Sequence, residues 1–241
     1  MKKVIALHAS RRKMNTYNLL VQIQQILLQN DIEVEVLSLY DYNIKDCLGC
    51  EKCIMKDKCV YQDDMELLMD KMMAADGIIL SSPVYLKQVS GKLKTFIDRT
   101  CKWYHRPVLY GKPVLCVSTT KGSGLKSTLS YLQSVAVQWG AMPIGRIGRT
   151  IRSINSPVTN KEVAGFVKLM QTPQSYRPTL SSLINFEIQK ALAKYLKGLD
   201  SSYWTEKGWN TKPYYFCCSM NGLKCIISRT FGGILQRGMA R

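Results

Sequence analysis

Residues 4–27 read Val4-Ile5-Ala6-Leu7-His8-Ala9-Ser10-Arg11-Arg12-Lys13-Met14-Asn15-Thr16-Tyr17-Asn18-Leu19-Leu20-Val21-Gln22-Ile23-Gln24-Gln25-Ile26-Leu27. The apolar run 4–7 stops at a polar loop, 8–15, after which Leu19, Leu20, Ile23 and Leu27 recur at the spacing of one helix face. This is strand, loop, helix, and the order repeats. Residues 32–39 alternate Val34 and Val36 with acidic residues as a second strand. Asp63-Asp64 supply an N-cap and first-turn acids for a helix carrying Leu67, Leu68 and Met72. Residues 77–80 form a third strand, followed by a loop at 81–85 and a helix through Leu93, Phe96 and Ile97. Residues 114–117 make a fourth strand that ends in 118–124. Such alternation predicts an α/β fold, a doubly wound open parallel sheet with helices on both faces. Ligands of these sheets bind beyond the carboxyl ends of the strands. There the chain places three loops rich in Ser, Thr, Gly, Asn and Arg, the composition of a nucleotide site.

Outward from this region the pattern changes. Helices are expected at 160–170 and 180–196, residues 198–215 are aromatic and polar, and Gly222, Gly232, Gly233 and Gly238 weaken a helix reading over 223–239. The chain of 241 residues thus divides into a domain at 1–150 and a C-terminal, mostly helical extension at 151–241. The formal charge is +17. Residues 151–241 hold 13 Lys and Arg against 4 Asp and Glu, and residues 1–150 hold 21 against 13. A charge of this sign attracts anions without choosing among nucleotides, nucleic acid and lipid. No nucleic-acid-binding motif is visible, so no nucleic-acid partner is expected. The apolar and basic stretch 223–241 suits peripheral contact with a lipid surface. No run approaches the roughly 18 apolar residues of a membrane span, and the N-terminal stretch is too short for a signal peptide. Both point to the cytoplasm, where thiols stay reduced.

Nine cysteines in such a chain are ligands, redox groups or core fillers. Cys47, Cys50, Cys53 and Cys59 form C-x2-C-x2-C-x5-C, a spacing that lets one loop wrap three corners of a compact iron-sulfur cluster while the fourth cysteine closes it. Bare thiols and a zinc site are the alternatives, zinc the poorer since its structural sites pair two separated C-x2-C units. Cys116 lies in a strand and reads as core. Cys101, Cys217, Cys218 and Cys225 show no ligand spacing. Neither His8 nor His105 has a partner that suggests a catalytic dyad, and no carboxylates are paired, which argues against hydrolysis. In the first loop Arg11 and Arg12 offer charged donors, Ser10 and Thr16 offer hydroxyls, and the following helix adds backbone N–H groups, a set suited to a phosphate.

The cysteine loop, with Asp63-Asp64-Met65 after it, and the stretch Ser82-Pro83-Val84-Tyr85 through Ser90-Gly91-Lys92-Leu93-Lys94 to Phe96-Ile97-Asp98-Arg99 closely resemble the NADPH-dependent FMN reductase family, in particular its iron-sulfur flavoprotein branch. The resemblance covers about residues 1–150 and implies a flavodoxin-like fold. Its first loop typically reads Gly-Ser-Pro-Arg, two variable residues, then Gly-Asn-Thr. Here Arg11, Asn15 and Thr16 are kept, whereas both glycines are replaced, by His8 and Met14, and Ala9 stands in place of the serine. The resemblance implies that Ser10, Arg11, Arg12, Asn15 and Thr16 hold the FMN phosphate, and that Pro83, Val84 and Tyr85 flank the isoalloxazine ring. Thr119, Thr120, Gly122 and Gly124 would approach its carbonyl edge. It further implies a [4Fe-4S] cluster on Cys47, Cys50, Cys53 and Cys59, and NAD(P)H or reduced ferredoxin as electron donor. A small-molecule or protein acceptor and a homo-oligomer complete the expectation. No catalytic side chain is required, since the flavin carries the chemistry. The rival is a non-enzymatic flavin electron carrier or redox sensor, with or without attachment to a membrane surface.

Overall fold

A computed structural model describes residues 1–239. The last two positions of the 151–241 extension, and of the 223–241 lipid-contact stretch, lie outside the described residues. Five strands, β1 (Lys2–His8), β2 (Ile32–Ser38), β3 (Gly77–Pro83), β4 (Pro113–Thr119) and β5 (Met142–Arg149), form one sheet in the order β2-β1-β3-β4-β5. Every pairing is parallel, with Val4 opposite both Val34 and Gly77, and Pro83 opposite Thr119. This is the doubly wound, flavodoxin-like order, whose winding reverses between β1 and β3.

Because side chains alternate along a strand, each central strand feeds two cores. Ile5, Leu7, Ile78, Leu80, Val114 and Cys116 pack beneath α3 (Met65–Ala74), α4 (Gly91–Asp98) and α6 (Leu125–Gln138). Val4, Ala6, Ile79, Leu115, Val117 and Ile147 pack beneath α1 (Asn15–Leu28) and α7 (Asn160–Gln171). The second face is therefore completed by Val163, Phe166 and Met170, from a helix beyond residue 150.

Several elements are not anticipated from the sequence, among them the fifth strand and the helix before it. Strand β5 carries Pro143, Gly145, Gly148 and two arginines, and it forms because it is an edge strand, where proline and a register shift opposite Val114 and Cys116 are tolerated. Helix α6 precedes it, with Leu129, Leu132, Val135 and Ala136 buried. Asp64 occupies the N-cap position of α3, yet its carboxylate accepts from the Asn43 N–H at 2.7 Å rather than from the helix.

The extension has its own core, in which Phe186, Trp204, Trp209, Tyr214 and Tyr215 meet Met142 and Leu169. Beyond α7 it comprises α8 (Leu180–Leu196), α9 (Gly198–Glu206) and α10 (Gly222–Met239). The glycines that weaken the helix reading are compatible with α10 because one of them is a packing site. A Cβ on Gly232 would come within 2.6 Å of the Glu187 carboxylate on α8, so the glycine permits the close approach of the two helices. Two short helices remain, α2 (Lys52–Met55) and α5 (Lys102–His105). Among the described residues no helix is long and apolar enough to cross a membrane.

Candidate functional site

The carboxyl ends of β1, β3 and β4 meet at a cavity of about 240 Å³, lined by Ser10, Arg12, Met14, Asn15 and Thr16 from the first loop, Pro83, Val84 and Tyr85 from the second, and Thr119, Thr120 and Lys121 from the third. It lies at the reversal of strand order, where such sheets bind ligands. Three buried threonines line one wall, and Thr16 and Thr119 share a hydrogen bond of 2.6 Å between their hydroxyls. The loops are thereby locked to one another across the cavity. The Ser10 hydroxyl accepts from the Arg12 N–H at 3.3 Å, turning the loop into the N-terminus of α1.

Not every expected residue lines this cavity. The Arg11 guanidinium lies 5.4 Å from the Tyr40 ring centroid. Gly122 donates its N–H to the Thr120 hydroxyl at 3.1 Å. Gly124, at φ +95°, supports the second loop from outside, since a Cβ there would meet the Lys87 backbone at 2.6 Å. That second loop is a tight hairpin closed between Tyr85 and Gln88, with Leu86 and Lys87 both at positive φ, the pattern of a type I′ turn. It leaves Tyr85 at the cavity rim, 45% exposed. Met14 and Lys121 are lining residues that the sequence did not mark, Met14 because it offers no strong donor and Lys121 because it is one of many lysines in a basic chain. His8, in place of a glycine, turns away into the protein, packed edge-on against Tyr17 at 5.3 Å with both ring nitrogens unpartnered. Burial is the main cause that depresses its pKa.

A second cavity, also of about 240 Å³, is lined by Cys47, Cys50, Cys53 and Cys59 together with Cys101, Arg99, Ile54, Val60 and Tyr61. Its loop is wound tightly, with Gly49, Glu51 and Asp57 all at positive φ. Cys101, which showed no ligand spacing, sits with its sulfur 3.3 Å from that of Cys53. This hydrogen bond lowers the Cys53 thiol to about 6 and, with burial, pushes the Cys101 thiol far up. Only a contact over 48 residues reveals Cys101, so no local motif could have found it. Arg99 donates to the Cys59 sulfur at 3.3 Å, to the Lys45 carbonyl at 2.8 Å and to both oxygens of Asp63 at 2.6 and 3.0 Å. Among the described residues no three His, Cys, Asp or Glu side chains converge on a single point as ligands of one ion would.

Helix α4 joins the two cavities. At its start the Ser90 hydroxyl caps the Leu93 N–H and donates to the Ala9 carbonyl of the first loop at 2.7 Å. Toward its end Thr95 donates to Asp46 at 2.8 Å, and Arg99, its C-cap, grips the base of the cysteine loop. Eight residues of helix span on the order of 12 Å. His105 likewise has a carboxylate partner that the sequence did not disclose, with Nδ1 3.0 Å from an Asp200 oxygen, but the pair lines neither cavity.

A profile described as NADPH-dependent FMN reductase matches residues 2–155. An iron-sulfur flavoprotein of Archaeoglobus fulgidus is 30% identical over 219 residues, 87% of this chain and 100% of that one. Another, from Methanocaldococcus jannaschii, is 33% identical over 140 residues, 55% of this chain and 70% of that one. Among solved structures, RosB with bound 8-demethyl-8-formylriboflavin-5'-phosphate superposes with a TM-score of 0.58 at 15% identity, over 72% of this chain and 82% of that one. An apo NADH:FMN oxidoreductase superposes with a TM-score of 0.51 at 17% identity, over 72% of this chain and 88% of that one. At these identities the two structures speak to the fold alone.

Proposed function

The chain belongs to the NADPH-dependent FMN reductase family, and from that premise we propose that it moves electrons from NAD(P)H or reduced ferredoxin, through FMN and a [4Fe-4S] cluster, to a small-molecule or protein acceptor. The observation that carries this proposal is the cavity at the β1/β3 reversal, with a basic, hydroxyl-rich loop on one side and a proline-stiffened aromatic hairpin on the other. FMN, when bound there, supplies a ring that takes up and releases electrons.

The residues present fit that group. The N-terminus of α1, Ser10, Thr16 and Arg12 would hold its phosphate by charge-assisted and hydroxyl hydrogen bonds. Tyr85 would cover the ring, and Thr119 and Thr120 would meet its polar edge. Around the second cavity, four soft sulfur donors suit iron. A single zinc ion needs its sulfurs about 2.3 Å from one point, whereas sulfurs spread around a cavity suit a multi-iron core. Cys47, Cys50, Cys53 and Cys59 would hold it, and the cluster would accept and pass on single electrons. Arg99 and Cys101 would donate hydrogen bonds to two of those sulfurs, favouring the more negative state of the centre. We also place the boundary of the flavodoxin-like unit after α7, since that helix closes the sheet, and expect the chain to act as a homo-oligomer.

Arg12→Ala is expected to weaken FMN binding by about 1.5–3 kcal/mol, roughly 10- to 150-fold in dissociation constant. Arg11→Ala should change it much less, because Arg11 is directed toward Tyr40. Fluorescence titration of apoprotein with FMN measures both, and the reverse order would overturn the assignment of the phosphate ligand. The proposed function itself is tested by mixing the anaerobic flavin-loaded protein with NADPH or NADH and following flavin bleaching. Bleaching within seconds supports a reductase. A flavin that bleaches with reduced ferredoxin but not with a nicotinamide supports the carrier or sensor reading or makes ferredoxin the donor, and one that none of these donors bleaches overturns the proposed electron path.

A further inference from the structure

One buried arginine outside both cavities ties the extension to the cysteine loop. Arg106 follows α5 and is 6% exposed. Its Nη2 donates to the Cys53 carbonyl at 2.7 Å and to the Asp57 carboxylate at 3.3 Å, and its Nη1 donates to the Ile54 carbonyl at 3.1 Å. All three acceptors belong to the cysteine loop. The fourth partner is Asp200, in the first turn of α9, which pairs with Nη1 through one oxygen and with His105 through the other. Asp200 is buried, whereas Asp57 is largely exposed, so the extension supplies the carboxylate that neutralises the guanidinium inside the protein. Helix α9 grips the chain on either side of Arg106, with Trp204 Nε1 donating to the His105 carbonyl at 2.9 Å and the Tyr203 hydroxyl donating to the Pro107 carbonyl at 3.1 Å.

We propose that the C-terminal extension acts as a clamp on the cysteine loop, with Asp200 as the positioning residue that holds Arg106 against the Cys53 and Ile54 carbonyls. The segment between Cys53 and Cys59 is then fixed at both ends by buried arginines. Arg99 grips it at Cys59 and Asp63, and Arg106 grips it at Cys53. The chemical consequence is that the loop is shaped before any group binds, and that a bound group is retained because the loop cannot peel away. A buried guanidinium that loses its carboxylate must move toward water, and its three bonds to the loop go with it. The role assigned to Asp200 rests on the proposal that this loop holds a metal cluster, but the clamp itself is measurable without one.

The test uses the full chain in two forms, iron-free with FMN bound and cluster-loaded. In the iron-free form, iodoacetamide labelling is mapped by mass spectrometry. Asp200→Asn is expected to raise the labelling rate of the half-buried Cys53 and Cys59 on the order of tenfold. The rates at exposed Cys217 and buried Cys116 should stay unchanged, and Asp200→Glu should restore the slower rate. In the cluster-loaded form the same substitution should shorten the half-life of iron against a chelator by a similar factor. Because a lone buried charge can also disturb the fold, the paired variant Arg106→Met/Asp200→Asn removes both charges. It should fold and bind FMN like the parent yet still label quickly. Unchanged Cys53 and Cys59 rates in both variants, or rates that rise equally at Cys116, would overturn the clamp. Fast labelling only in the variants, together with a parent that holds no iron when purified anaerobically from a host proficient in cluster assembly, would uphold the clamp and refute the cluster.

Discussion

Replacing any one of Cys47, Cys50, Cys53 or Cys59 with Ala is expected to strip the anaerobically purified protein of most of its iron, from about four iron and four sulfide per chain to near none. The four side chains ring one cavity, and a cluster that loses one of its corners becomes open to solvent and chelators. Cys116→Ala and Cys225→Ala should leave the iron in place, since Cys116 is buried in β4 and Cys225 belongs to the extension. Cys101→Ala is the informative case. If Cys101 is a hydrogen-bond donor to Cys53 rather than a ligand, iron content stays and the reduction potential falls, because a donor to a ligand sulfur has been removed. Iron analysis with a redox titration decides this. FMN should persist in all these variants, because the cavity proposed for it is built from other loops. Iron-free parent protein from a host proficient in cluster assembly would eliminate the cluster and leave the flavin assignment standing.

The second large effect concerns the buried pair that anchors the far end of the same loop. Asp63→Ala is expected to destabilise the fold by about 3–5 kcal/mol, the range for removing one partner of a buried ion pair. Both side chains are at most 2% exposed, and the loss leaves Arg99 charged without its carboxylate. Urea denaturation at neutral pH measures the change. Burial by itself would raise the Asp63 carboxyl, but hydrogen bonds from Arg99 and from the Lys45 and Met65 N–H groups overrule it and hold the pKa below the ordinary value. The pair therefore contributes stability above the ordinary carboxylate pKa of about 3.9. That contribution fades as pH falls below this value through the folded-state pKa. Parent and variant should thus converge in stability in strong acid, and a gap that stays constant down to low pH would assign the effect to packing instead.

The cavity proposed for FMN was largely legible in the sequence because its parts are local. Ser10 to Thr16 and Pro83 to Tyr85 are short loops between a strand and a helix, and the parallel register that sets Pro83 beside Thr119 follows from the order of elements. Arg11, Gly122 and Gly124 do not line the cavity, because the path of a loop, and with it the direction of each side chain and N–H, is set by backbone dihedrals that no period of hydrophobicity encodes. Strand β5 was hidden because an edge strand need not be apolar, and its proline and arginines mask it. Helix α10 was hidden because a glycine inside a helix can be required by a neighbouring helix, here at Gly232 against Glu187.

Hydrophobic period, turn chemistry and cysteine spacing are local quantities, and by themselves they determined the doubly wound order of the first four strands, the three polar loops at their carboxyl ends and the four-cysteine loop. Everything that joins those parts depends on contacts between residues far apart in the chain. Cys101 meets Cys53 across 48 positions, Arg99 meets Cys59 across 40, and Asp200 meets Arg106 across 94. A buried thiol or ion pair forms only where folding removes both partners from water together, which is a property of the packed chain. The tertiary structure alone therefore decided that α4 spans the two cavities and that the extension reaches back to hold the cysteine loop.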